Sequence, residues 1–217
     1  MTVQPTVYLD ANVYKFAATR LLRVFPREQT VTWGNRTVTT TVDDFGYLNP
    51  NERILNTDLK AEAGLLQKVA NMAKSGRLIL MVQSETQLET WGLPNMDSED
   101  GPMYGAPVVD GDAPIHYARI VAGGGESADD YQLDFLRSLR DSRFLELQRA
   151  TGAYQGAGRL NSNQLLDAFH LWCAEHNHCD YFLTLDFKLQ RVLKRSSMEL
   201  SVSVVRPSEL LQAAGLE

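Results

Sequence analysis

Short apolar runs alternate with stretches of 3.6-residue periodicity along this 217-residue chain. Thr6 to Leu9 is a β-prone run that ends at Asp10, and Val13, Phe16, Ala17, Leu21 and Val24 then recur at helical spacing. That spacing predicts a helix from Asn12 to about Phe25. From Gln29 to Val42, β-branched runs flank Gly34-Asn35, which predicts a two-residue hairpin. Asp43 to Pro50 reads as loop. Leu55, Leu59, Leu66, Val69, Ala70 and Ala73 then predict a long amphipathic helix from Glu52, stopped by Ser75-Gly76. Arg77 to Gln83 suits a buried strand, and Ser84 opens a short helix to about Trp91 that Gly92-Leu93-Pro94 ends. Pro94 to Gly125 is Gly- and Pro-rich without periodicity and reads as a long loop.

The C-terminal half is more regular. A helix is expected from Ser127 to about Ala150, and Gly152, Gly156 and Gly158 mark a flexible link. Asn161 or Ser162 caps a helix carrying Leu165, Leu166, Phe169 and Trp172. Tyr181 to Leu185 is a strand, Asp186 opens a helix, Ser201 to Val205 is a strand and Pro207 to Ala213 a last helix. Apolar strands followed by helices predict a parallel sheet covered on both faces, an α/β/α sandwich. One domain over residues 1–217 is expected, with insertions at about 27–50 (the hairpin) and 93–126 (the acidic loop).

Composition adds exclusions. The longest pure apolar run is about five residues, Leu78 to Val82, against the ~20 of a membrane span. No secretory leader is visible at the start, and two cysteines are too few for a disulfide scaffold. A cytoplasmic protein without a membrane partner is expected. The net charge of −6 conceals an asymmetry: residues 93–134 hold nine acids against Arg119, a local −8 that leaves +2 for the remainder. Local fields guide partners more than the net charge does, so a polyanionic partner stays open.

In parallel α/β sheets, ligands bind at the carboxyl ends of the strands. Asp10 ends the first strand, and Asp186 follows the strand from Tyr181. Glu85 and Glu89 lie on the helix opened by Ser84, and Asp167 lies in the first turns of the helix before Tyr181. Gathered carboxylates repel one another unless a cation intervenes. Hard oxygen ligands suit Mg²⁺ or Mn²⁺, which can activate water for attack at phosphorus. An acid at a helix start is also commonly a cap, a reading that does not account for the same placement at two strand ends.

Val-Tyr-Leu-Asp10-Ala-Asn12, Ser84 with Glu89 five residues on, Leu-Leu-Asp167-Ala-Phe, and Leu-Thr184-Leu-Asp186-Phe together resemble the PIN-domain ribonucleases. The resemblance covers mainly residues 6–25, 77–92 and 162–206. It implies a parallel sheet with helices on both sides and a carboxylate pocket for Mg²⁺ or Mn²⁺ built from Asp10, Glu89, Asp167 and Asp186. Asn12 and Thr184 match supporting positions. It also implies cleavage of single-stranded or structured RNA, and many members are toxins with a cognate antitoxin. Glu85 rivals Glu89, because residues four apart share a helix face. The hairpin and the acidic loop exceed compact family members.

Lys188, Arg191 and Arg195 fall on one face after Asp186, with Lys194 beside them. Next to a carboxylate pocket they are candidates to hold an RNA backbone. Arg20, Arg23 and Arg27 lie along or just beyond the helix expected after Asp10. The hairpin's alternating Thr and Val predict one covered face, against a second subunit. Cys173, His176, His178 and Cys179 match no common zinc spacing, and Cys173 reads as core. A haloacid-dehalogenase-type phosphatase would need a second aspartate where Asn12 stands. A non-catalytic PIN-like module binding RNA or protein remains the alternative function.

Overall fold

The computed structural model describes residues 4–91, 96–97, 101–117, 128–154 and 161–215. Five strands form a wholly parallel sheet: β1 (Thr6–Leu9), β4 (Ile79–Val82), β6 (Val108–Asp110), β7 (Tyr181–Leu183) and β8 (Ser203–Val205). Their order across the sheet is β6-β4-β1-β7-β8. The chain therefore walks outward from β1 through β4 to β6, then returns to the other side of β1 for β7 and β8. The reversal leaves a crevice beyond the carboxyl ends of β1 and β7, where α/β sheets bind ligands.

Strand periodicity divides the core across the two faces of the sheet. Val7, Leu9, Leu80, Val82 and Leu183 pack with α2 (Thr57–Gly64), α3 (Leu66–Lys74) and α9 (Pro207–Ala213). Tyr8 and Phe182 face the other way, stacked with centroids 5.7 Å apart. They pack with α5 (Ala128–Ser138), α6 (Ser142–Thr151), α7 (Ser162–His176) and α8 (Phe187–Arg195). Helices thus flank the sheet, as the sequence pattern predicts. None of the described helices is long and apolar enough to cross a membrane.

The helix expected to reach Phe25 is corrected. α1 spans only Ala11–Ala17. Asn51 Nδ2 donates to the carbonyl of Phe16 at 2.8 Å and to that of Ala18 at 3.5 Å, capping its end. Leu21 and Val24 instead belong to β2 (Arg20–Trp33), where they face Leu48 and Phe45 of β3 (Arg36–Leu48). The expected hairpin is present and turns at Gly34-Asn35, but it is about twice as long as predicted and absorbs the expected loop Asp43 to Pro50. Gly34 has φ 58°, suiting the first central position of a type II′ turn. Arg20, Arg23 and Arg27 are accordingly strand residues. The ribbon forms a sheet separate from the parallel one, extended at its root by β5 (Met96–Asp97).

Other expected elements are subdivided. A short 3-10 turn, Pro50–Arg53, precedes α2, and the long helix from Glu52 breaks at Leu65. The helix expected from Ser127 to Ala150 breaks before α6, whose cap Asp141 accepts from the amides of Arg143 and Phe144. The loop expected after Pro94 contains β6, a full strand of the main sheet. Gly111 closes it, donating its amide to the Val82 carbonyl at 2.7 Å. A Cβ there would stand 2.7 Å from Met81 Sδ, so a larger residue would require the Met81 side chain to shift. Gly92-Leu93-Pro94, Gly123-Gly124-Gly125, Gly156 and Gly158 lie outside the described residues.

Candidate metal centre

Asp10 leaves β1 with its amide donating to the Leu183 carbonyl of β7 at 3.1 Å, which fixes it over the crevice. By position it is the N-cap of α1, yet its side chain makes no capping bond. Its Oδ2 instead accepts from Asn12 Nδ2 and from Thr184 Oγ1, each at 2.6 Å. Thr184 Oγ1 also accepts from Asn12 Nδ2 at 3.0 Å and from the Asp186 amide at 2.9 Å. Asn12 Oδ1 accepts from the Leu185 amide at 3.0 Å. Asn12 and Thr184 thus lock the loop after β7 to the end of β1 and orient one carboxylate oxygen.

Asp186 does cap its helix: Oδ1 accepts from the amides of Lys188 (2.7 Å) and Leu189 (2.9 Å). Glu89, on α4 (Ser84–Trp91), reaches across to α7, where His170 Nε2 donates to its Oε1 at 2.5 Å. The other ring nitrogen of His170 lies 3.2 Å from the Tyr8 hydroxyl and 3.4 Å from Thr86 Oγ1. Asp167 lies one helical turn before His170 on the same helix.

Electrostatics ties these groups together. Burial pushes the Asp10 carboxyl up to about 6; its bond to Thr184 and the nearby imidazole oppose this, while Glu89 adds to it. Asp167 is held well above the usual carboxylate range by burial, then by Asp10 and Asp186. Burial draws His170 toward neutrality, but Glu89, Asp10 and Asp167 outweigh it and hold the imidazole above its ordinary value. Asp167 thus feels Asp10, Asp186 and Glu89, and Asp10 feels Glu89, which links the four carboxylates proposed from sequence through Asp167.

Glu85 is placed elsewhere. It is buried, and its Oε1 accepts from the Tyr117 hydroxyl at 2.8 Å. Tyr117 in turn accepts from Gln83 Nε2 at 2.8 Å. Glu85 lines a separate cleft of about 700 Å³ with Gln83, Gln87, His116 and His176. The shared helix face suggested by the four-residue spacing does not bring both glutamates to one pocket, because Tyr117 draws Glu85 aside.

No family model, curated protein or solved structure matches this chain. The chemistry of the site must stand on its own donors. A cluster of carboxylates whose ionisation is disfavoured, first by burial and then by neighbouring carboxylates, is the charge arrangement that a hard divalent cation relieves. The oxygen-rich set of Asp10, Asp167, Asp186 and Glu89 fits Mg²⁺ or Mn²⁺ in kind. Among the described residues, no three His, Cys, Asp or Glu side chains are already arranged to hold an ion. Glu89 is engaged by His170, and one oxygen of Asp186 by the amides opening α8.

Cys173 and Cys179 are both buried, and burial pushes both thiols up, Cys179 to about 12. They are neutral core groups rather than the thiolates zinc requires. Sequence reasoning missed His170, Tyr8 and Thr86. His170 had a signal, since it follows Asp167 by three residues and so shares its helix face. Tyr8 and Thr86 had none, being an apolar-strand residue and a mid-helix hydroxyl until the tertiary fold joins them to His170.

Proposed function

We propose that this chain is a metal-dependent endoribonuclease of PIN-like fold, acting in the cytoplasm on RNA. The supporting observation is the pair of raised carboxyls at the topological reversal of a parallel sheet: Asp10 is pushed up by burial and then by Glu89, and Asp167 by burial and then by Asp10, Asp186 and Glu89. Asp10, Asp167, Asp186 and Glu89 would hold one or two Mg²⁺ or Mn²⁺ ions. Such an ion, when bound, supplies Lewis acidity for direct attack of water on phosphorus. Asn12 and Thr184 keep the Asp10 carboxylate aimed, and His170 positions Glu89 while Tyr8 and Thr86 steady the imidazole. Lys188, Arg191, Lys194 and Arg195 offer positive charge to the phosphate backbone. A toxin with a cognate antitoxin belongs to the same proposal.

The test is cleavage of single-stranded RNA in Mn²⁺ and in excess EDTA, on wild type and Asp10→Asn together. Cleavage is expected only for wild type with metal, leaving 5′-phosphate and 3′-hydroxyl ends. Activity that survives EDTA or the substitution would overturn the assignment. Failure to bind Mn²⁺ by calorimetry would favour the non-catalytic binding module.

The hairpin is assigned to self-association. Val24 faces Phe45 on one side of the ribbon, with Leu22 and Tyr47 beside them, and Val24, Phe45 and Tyr47 are all exposed. A two-stranded ribbon is marginal alone, and exposed apolar patches mark interaction sites. Replacing residues 22–47 by a short turn should lower the oligomeric state in light scattering and leave Mn²⁺ affinity unchanged. A shortened protein that keeps its oligomer but loses metal would sink this role.

A further inference from the structure

Two clefts lie on the side of the crevice where α8 begins, and they share residues. The first, of about 360 Å³, is lined by Asn12, Lys15, Phe16, Asp186 and Lys188 among others; the second, of about 350 Å³, by Gln190, Arg191, Lys194 and Arg206. Asn56 and Phe187 line both. Adjoining at Phe187 and Asn56, the two clefts make one basic surface that runs from Asp186 and Asn12 to the gap between α8 and the start of α9. It gathers five cationic side chains, Lys15, Lys188, Arg191, Lys194 and Arg206, against the single lining acid Asp186. Glu209 offsets part of this charge, standing 3.5 Å from Lys194 and 3.8 Å from Arg206.

The Arg206 guanidinium lies over the Phe187 ring, 4.7 Å from its centroid. Its Nε is buried and finds no acceptor among the described residues. An aromatic ring paired with a guanidinium in a basic groove is the combination that grips unpaired nucleotides: bases stack on the ring or on the planar guanidinium, and cations follow the backbone.

We infer that this groove binds a single nucleic-acid strand, with an unpaired base stacked on the Phe187–Arg206 pair and the flanking phosphates held by Lys15 and Lys188 on one side and Arg191 and Lys194 on the other. The inference rests on the proposed ribonuclease reading and narrows its substrate to single-stranded RNA, since a base inside a duplex would first have to be unpaired and unstacked, at a cost in free energy, to reach Phe187. It also sorts the basic residues expected from sequence. Lys188, Arg191 and Lys194 line the groove, whereas Arg195 does not line it, and Lys15 and Arg206 join from other elements.

The experiment measures binding of a short labelled RNA, alone and annealed to its complement, in Mn²⁺-free buffer across a salt series. Wild type should prefer the single strand. Arg191→Ala combined with Arg206→Ala should weaken that affinity and flatten its salt dependence by about 0.7 in slope for each phosphate no longer neutralised. Phe187→Leu, which keeps an apolar side chain for packing, should weaken binding roughly tenfold or more at unchanged salt slope, and Phe187→Trp should restore it. Circular dichroism of each variant reports folding. Equal affinity for duplex, or wild-type affinity in Phe187→Leu or in the double arginine variant, would overturn the groove. Because the readout is binding, the two readings fail separately. A protein that binds here but never cuts refutes the hydrolase reading, and one that cuts with groove variants unimpaired refutes the groove.

Discussion

Asp10→Asn is expected to lower Mn²⁺-dependent cleavage by roughly a thousandfold or more, about 4 kcal/mol of barrier, and yet to raise thermal stability. The two effects share one cause. Asp10 is 5% exposed, and its carboxyl is pushed up to about 6 from an ordinary 3.8. At neutral pH the folded protein must therefore hold a charge it would rather not carry, at a cost of roughly 3 kcal/mol. An amide removes that charge, and its carbonyl oxygen can still accept from Asn12 Nδ2 and Thr184 Oγ1. Its NH₂ group must find an acceptor, so a net gain of about 1–3 kcal/mol is expected. For a chain of this size that means several degrees in Tm, read by calorimetry without metal. Cleavage falls because a charged ligand has gone from the set proposed to hold the ion. A variant that loses both cleavage and stability would mean that Asp10 is structural.

The parts of the fold legible in the sequence are those fixed locally. α4, α7, α8 and α9 each begin near a Ser, Asn, Asp or Pro that starts helices for chemical reasons visible in one turn, and β1, β4 and β7 are short apolar runs. Leu21 and Val24 misled because their spacing from Val13 is helical, while their structure is set by pairing with Leu48 and Phe45, more than twenty residues away. β6 misled in the opposite sense. It has three residues, all exposed, at the edge of the sheet, so it carries little apolar signal and is defined by its register with β4. The same division runs through the site. Asp10, Asp167 and Asp186 could be named because strand ends and helix starts place them. The preference for Glu89 over Glu85 depends on His170 and Tyr117, partners brought in from other parts of the chain. Arg206 was invisible as a groove residue because only the tertiary fold sets it beside Phe187.

The metal-free protein should lose stability as pH rises from about 4 to about 7, and Mn²⁺ should restore it progressively over the same range. Asp10 has a folded pKa above its unfolded one, so the folded state binds the proton more tightly. Its contribution is full below about 4 and is lost as pH climbs through about 6, again roughly 3 kcal/mol. Asp167 shifts in the same direction and adds to the loss. His170 is also raised, so its contribution too is present below its unfolded value and fades as pH passes its folded one. Glu209 opposes them only at the acid end: its lowered pKa gives stability that disappears as pH falls through it. A divalent ion competes with the same protons, so its affinity should rise as the carboxylates ionise. At a free concentration a hundred times Kd it adds about 2.7 kcal/mol. The expected calorimetric result is a Mn²⁺-induced rise in Tm that is small near pH 5, large near pH 7.5, and nearly absent at both in Asp10→Asn. A shift of equal size at both pH values would place the ion away from these carboxylates.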